Sequence, residues 1–292
     1  MYELYNRTHM SVVVPTSLSA AIEAIGSNPN AMLLAGGTDA MVEVNAGHKR
    51  PIHVVVLNRV PELRTWRFDP AAATVTIGAA ITYAQLGAAT FAEWAPALAQ
   101  AARTVGSPQI RNAATIGGNV ATCSPAGDGL PVLAALDAHI HLASPSGTRV
   151  VAFGAFMVGP KRTLRQHDEL ITAVTVPVLQ GWQGYAKVGV RNAMVISNAG
   201  ACLAVDAPSR SVRLALGAVG PTIIRCAEAE QFAASVANFD ERRVRDVDVA
   251  QFGELAASAA RPIDDHRSTA QYRRHAIAVL SRRLLRRAFP NA

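Results

Sequence analysis

Apolar and polar positions alternate in short runs along the first third of the chain, and Gly, Pro and Ser punctuate the runs. Ser11–Val14 is a β-branched run that Pro15 stops. Ser17 stands where it can cap a helix over Leu18–Ile25, with Gly26 as its end. Ala31–Leu34 is a compact apolar strand that runs straight into Gly36-Gly37-Thr38-Asp39 and a short helical stretch, and Ile52–Leu57 is the next strand. Three such strands joined by short helices predict a small, mostly parallel α/β unit.

From Asn58 the texture changes. Thr74–Ile77 reads as a strand, Thr82 can cap a helix beginning at Tyr83, and Ala95–Val105 and Pro131–Leu136 read as further helices, the latter buried. His139–Ala143 and Thr148–Phe153, around Pro145-Ser146-Gly147, predict a β-hairpin, and Leu170–Val176 a strand ended by Pro177. Beyond it, Gly184–Val190, Ala199–Val205 and Val212–Val219 alternate as three antiparallel strands, with Pro208-Ser209-Arg210 as a turn, and the Ala- and Arg-rich remainder from Glu228 reads as helices. The pattern predicts an α+β protein. One domain covers 1–177, with subdomains of about 1–57 and 58–177, and a second covers 178–292, a three-stranded sheet followed by helices.

The 292 residues are 50% hydrophobic and 17% charged, enough to build a sizeable core and too apolar to stay disordered. No apolar run approaches the ~20 residues that span a bilayer, and MYELYNRTHM has no signal core, so a cytoplasmic location is expected. Cys123, Cys202 and Cys226 are odd in number and scattered, which implies no disulfide framework. Nor can they supply the four protein ligands of a conventional two-iron cluster. His139 and His141, at i and i+2, have no acidic partner nearby, and Asp264-Asp265-His266 after Pro262 reads as a helix cap, so no metal site is expected. The net charge is +7, and six arginines with no acid follow Gln271. Among them Tyr272, Ala276, Val279, Leu280 and Leu284 recur at helical spacing, which predicts a terminal helix with one docked stripe and solvated arginines. No nucleic-acid motif accompanies the charge.

Two glycine pairs carry candidate chemistry. In Leu33-Leu34-Ala35-Gly36-Gly37-Thr38-Asp39-Ala40 a strand ends on two glycines before a helix opens. Successive amides at such a turn form an anion-binding concavity, unless the turn is an ordinary one with Thr38 or Asp39 as helix cap. The second pair lies in Thr115-Ile116-Gly117-Gly118-Asn119. Together the two could clamp one pyrophosphate from two sides. Asp128 follows closely and could accept from a ligand hydroxyl or amide, or be a surface turn residue. The G-x-G-x-x-G and P-loop fingerprints are absent, as are G-x-S-x-G and H-E-x-x-H.

The ordered set Ala35-Gly36-Gly37-Thr38-Asp39, Arg111-Asn112, Thr115-Ile116-Gly117-Gly118-Asn119, Ser124-Pro125 and Asp128 resembles the FAD-binding medium subunit of the molybdenum hydroxylases, the family of aerobic carbon monoxide dehydrogenase and xanthine dehydrogenase. Tyr185-Ala186-Lys187 with Arg191 and Ile196-Ser197, and Tyr272-Arg273-Arg274 near the end, resemble its C-terminal flavoprotein domain. Thr38-Asp39 differs from the pair that follows the glycines in carbon monoxide dehydrogenases. The resemblance implies a vanillyl-alcohol-oxidase (PCMH) type FAD fold, in which two α+β subdomains and a C-terminal domain hold an extended FAD. It implies that Leu33 through Ala40 and Thr115 through Asn119 form the two FAD loops. Val105 and Ile171 would be apolar contacts, or plain core packing, and Asp128 and Lys187 polar ones. It also implies partners: a large subunit with molybdenum cofactor and a small 2Fe-2S subunit, in a dimer of heterotrimers. No residue of this chain would act as acid or base on the substrate. Two alternatives stay open: a free-standing FAD-dependent oxidoreductase of the same fold, and a non-enzymatic basic binding protein whose glycine turns are structural.

Overall fold

The computed structural model describes residues 10–291; residues 1–9 and 292 lie outside them. Strands β1 (Ser11–Val13), β2 (Met32–Leu34) and β3 (His53–Val56) form a parallel sheet in the order β1-β3-β2, with helices α1 (Leu18–Ser27) and α2 (Ala40–Asn45) in the connections. This is the α/β unit the apolar pattern predicts. Ser17 caps α1 by accepting the Ala20 amide at 3.2 Å. Gly26, expected to end α1, lies inside it. A Cβ there would sit 2.5 Å from Pro145 Cγ, so the glycine lets α1 approach the hairpin turn at Pro145.

A second, antiparallel sheet has the order β4-β5-β10-β6-β7. Its strands are β4 (Trp66–Asp69), β5 (Thr74–Gly78), the hairpin β6 (His139–Ser144) and β7 (Gly147–Ala152), and β10 (Leu170–Pro177). Edge strand β4 escaped the sequence because it buries no side chain fully; its Phe68 stacks on Trp94 with centroids 6.0 Å apart. Between β5 and β6 run α3 (Tyr83–Leu86), α4 (Ala89–Ala92), α5 (Pro96–Thr104), α6 (Pro108–Ala113), α7 (Ile116–Thr122) and α8 (Gly129–Ala135). Thr82 caps α3 in a capping box with Gln85, as its position suggests. After the hairpin come α9 (Phe153–Phe156) and the small pair β8 (Met157–Gly159) and β9 (Arg162–Thr163).

The third sheet is antiparallel, in the order β11 (Gly181–Val188), β12 (Ala199–Asp206), β13 (Ser211–Gly217), β14 (Ile224–Arg225). The three strands expected are present and a fourth is added, because two residues are too few to show alternation. Helices α10 (Ala227–Val236), α11 (Asp246–Ala259) and α12 (Ala270–Ala288) cover one face. Alternate residues of β12 serve two cores. Ala199, Ala201, Leu203 and Val205 pack with the helices, whereas Cys202 and Ala204 join the core that contains α5 and α8.

The terminal helix docks as its stripe predicts, with two differences. Tyr272 is 46% exposed and lies off the stripe. Arg273, grouped with the solvated arginines, is buried and donates to Asn198 O at 3.2 Å, Ala218 O at 2.8 Å and Asp265 Oδ1 at 2.7 Å. Asp264 accepts the Ala270 amide at the start of α12, so this acidic pair caps and anchors the helix.

Candidate functional site

The first glycine turn follows directly from β2. Leu33 and Leu34 are half-buried at its end, and Leu34 O accepts the Leu57 amide at 2.9 Å. The chain then leaves the sheet. Among the described residues, none of the six amides from Ala35 to Ala40 finds an acceptor within the chain. Gly37 has φ +73°, a left-handed conformation that favours glycine and is one element of an anion-binding turn. Asp39 occupies the cap position of α2 but makes no capping bond; its carboxylate accepts from Thr122 Oγ1 at 3.0 Å. The ordinary-cap alternative is therefore not what the turn is built for. Six donors in succession suit a doubly charged, oxygen-rich group such as a diphosphate.

The second turn differs. Segments 79–83 and 114–117 are zipped together. The Tyr83 amide donates to Ala114 O at 3.0 Å, Ile116 to Ile81 O at 3.0 Å and Gly117 to Ala79 O at 2.8 Å. Thr115 caps α7, accepting the Gly118 amide at 3.0 Å on its hydroxyl, and its carbonyl takes the Asn119 amide at 3.0 Å. All four amides from Ile116 to Asn119 are thus committed, so this turn does not offer the main-chain cradle that its glycines suggested. What it offers is space: a Cβ on Gly118 would meet only Thr115 Oγ1, at 3.0 Å. The two turns lie side by side. A Cβ on Gly36 would overlap the Ala113 carbonyl, and Thr122 reaches Asp39 from the end of α7.

Asp128 is buried, not a surface turn residue. Its carboxylate accepts from Tyr185 Oη at 2.9 Å and Ser197 Oγ at 2.6 Å on Oδ1, and from Lys187 Nζ at 2.6 Å and Thr104 Oγ1 at 3.3 Å on Oδ2. Lys187 spends its other two donors on Thr104 O at 3.0 Å and Val195 O at 3.1 Å. The pair, with side chains 7% and 9% exposed, bridges α8 and β11, and its hydrogen-bonding capacity is filled from within the chain. Burial, then the Asp128 charge, pushes the Tyr185 phenol well above its ordinary range, so it remains a donor. Thr104, which joins this cluster, carried no signal in the sequence; only the fold brings it in.

Val105 ends α5 beside Thr104, half-buried, with its carbonyl accepting from Arg111 at 3.0 Å. Ile171 is 4% exposed and joins the core at the bulge of β10. Cys123 is buried at the end of α7, and burial raises its thiol to about 12, so it packs and does not react. His141 bonds Thr175 Oγ1 at 2.7 Å, and burial, then His139, lowers its pKa. Among the described residues no three His, Cys, Asp or Glu side chains converge on a metal position.

Residues 8–179 match the family model described as the FAD binding domain in molybdopterin dehydrogenase. The chain belongs to this family. Residues 185–288 match the CO dehydrogenase flavoprotein C-terminal domain. The chain is 31% identical over 281 residues to a putative xanthine dehydrogenase FAD-binding subunit of Escherichia coli, covering 93% of each. It is 32% identical over 275 residues to the glyceraldehyde dehydrogenase medium chain of Sulfolobus acidocaldarius, covering 93% of this chain and 95% of the relative. Among solved structures, carbon monoxide dehydrogenase from Hydrogenophaga pseudoflava, in a form lacking the Mo-pyranopterin moiety, matches 97% of this chain and 98% of its own with a TM-score of 0.87 and 28% identity. The chain is accordingly an FAD-binding oxidoreductase subunit of the molybdenum hydroxylase family, and FAD is its cofactor.

Proposed function

We propose that this chain is the electron exit of a multi-subunit molybdenum hydroxylase. It would receive electrons from a small 2Fe-2S subunit, while a large molybdenum-cofactor subunit oxidises the substrate, and pass them to an external acceptor. The observation that carries the reading is the run of six uncommitted amides, Ala35 to Ala40, beside the open face of Gly118. FAD supplies single-electron uptake and paired release; the protein supplies binding, orientation and electrostatics.

On this reading Ala35, Gly36, Gly37, Thr38, Asp39 and Ala40 grip the diphosphate through their amides, with Leu33 and Leu34 fixing the turn to the sheet. Thr115, Ile116, Gly117, Gly118 and Asn119 form the opposite wall. Ile116 and Gly117 lock the wall to residues 79–81, and Gly118 leaves room. Asp128 and Lys187 make a wall of matched charge beside the ligand, and Val105 and Ile171 back it with apolar surface. We divide the chain at about Pro177, with 1–177 carrying the cofactor loops and 178–292 closing the site through Tyr185, Lys187 and Ser197. Relatives named as a medium chain and as a dehydrogenase complex subunit support a heteromeric setting. We place the complex in the cytoplasm as a dimer of heterotrimers. No helix among the described residues is long and apolar enough to cross a membrane.

The test is a reduction experiment. The isolated, FAD-loaded chain should leave its flavin oxidised when given small organic donors without partners, and reduce it when the reduced iron–sulfur subunit is added. Rapid reduction of the isolated chain by a small donor would make it a free-standing oxidoreductase instead.

A further inference from the structure

Tyr83 opens α3 and is 1% exposed, yet its hydroxyl is aimed at the second glycine turn: Oη donates to Asn119 Oδ1 at 2.7 Å. Two glycines make the arrangement possible. A Cβ on Gly129 would lie 2.5 Å from Tyr83 Oη, and one on Gly127 would lie 2.8 Å from Asn119 Nδ2. The turn that carries Asp128 is thus stripped of side chains on both sides of the aspartate, where the Tyr83–Asn119 pair rests against it.

A carboxamide has one acceptor end and one donor end. With Oδ1 held by the phenol, Nδ2 must project the other way. Among the described residues Nδ2 has no acceptor, and it is not one of the buried atoms left without a partner, so it stays open to solvent. It is a free side-chain donor in a turn whose main-chain amides from Ile116 to Asn119 are all spent inside the protein.

We propose that Tyr83 is a positioning residue for FAD: it fixes the Asn119 carboxamide so that Nδ2 donates to an oxygen of the dinucleotide. The inference rests on the proposed FAD site and adds to it a source for the second turn's hydrogen bonding. Burial, then the charges of Asp128 and Asp39, keeps the phenol protonated, so it serves as donor across the working pH range.

The flavin-stripped full chain is titrated with FAD, with binding followed by flavin fluorescence, in the parent, Asn119→Ala, Asn119→Asp, Tyr83→Phe and the Tyr83→Phe/Asn119→Ala double variant. Asn119→Ala should weaken binding by about tenfold or more, the loss of a hydrogen bond to a charged or strongly polar oxygen. Asn119→Asp still accepts from Tyr83 and should keep a cooperative thermal transition, yet it has no donor to offer and should bind at least as weakly. Tyr83→Phe should weaken binding several-fold, and the double variant should bind no more weakly than Asn119→Ala alone, since the phenol acts only through Asn119. The proposal is overturned if both Asn119 variants bind FAD as the parent does. It is equally overturned if Tyr83→Phe exacts its full loss again in the Asn119→Ala chain, which would mean that the phenol only packs. A parent that binds tightly beside unaffected variants leaves the FAD site standing and removes this inference; a parent that binds no FAD removes both.

Discussion

A Cβ added to Gly36 would run into the Ala113 carbonyl, one added to Gly117 would lie 2.5 Å from Ala79 Cβ, and one added to Gly118 would meet only the Thr115 hydroxyl. These contacts separate stability from binding. Gly36→Ala and Gly117→Ala force backbone apart and should each cost about 1–3 kcal/mol, read as a lower melting temperature. Gly118→Leu points its side chain into open space; the melt should shift little while FAD affinity falls by more than about tenfold, because the ligand loses the room it needs. Both glycine pairs were visible along the chain. Which glycine is held against backbone and which has open space was not, because the atoms that decide it, at Ala113 and Ala79, lie 77 and 38 residues from Gly36 and Gly117. The same distance hid the partners of Asp128. Its sequence neighbours suggest a turn, whereas Thr104, Tyr185, Lys187 and Ser197 arrive from other elements.

Helix α12 is seated by buried Arg273 and half-buried Asp265. Arg273 reaches Asp265, and through Asn198 and Ala218 it holds the ends of β12 and β13. Arg273→Met removes the cation and leaves two carbonyls without a donor, while Asp265 keeps those of Arg267 and Ser268, a loss of about 1–3 kcal/mol by the usual cost of unpaired buried acceptors. Burial works to raise the Asp265 carboxyl, but the Arg267 amide, the Arg273 guanidinium and the Ser268 amide outweigh it and hold the group below its ordinary 3.8. A carboxyl depressed in the folded state stabilises it above the unfolded pKa, and that contribution fades as pH falls through the folded one. The melting-temperature gap between the parent and Asp265→Asn should therefore be full at pH 7 and narrow below about pH 4. The longer elements were legible: α1, β2, β5, α5, the β6–β7 hairpin and the long strands of the third sheet show in the order of apolar runs and the turn residues that bound them. β4, β14 and the six-residue α6 were not, since edge strands and single turns bury too little to leave a period.

The sheets do not stand as independent bodies. Gln100 Oε1 accepts the Tyr185 amide at 2.9 Å, Arg225 donates to Ala134 O at 2.9 Å, and Cys202, Ala204 and Ala215 of the third sheet complete the core around α5 and α8. A fragment of residues 1–177 would expose that core and strip Asp128 of three of its four donors, Tyr185, Lys187 and Ser197. It should be poorly soluble, and whatever folds should hold FAD more weakly than the full chain in the same titration. On the proposed reading, a run of free amides grips FAD opposite an open glycine. The direct check is to incubate the purified full chain with excess FAD, desalt it, and compare bound flavin with protein from the visible spectrum and the released nucleotide. Equimolar FAD on the parent, and none on a Gly118→Leu chain that melts like the parent, is the expected result. A parent that stays colourless, or equal flavin on both chains, would contradict it.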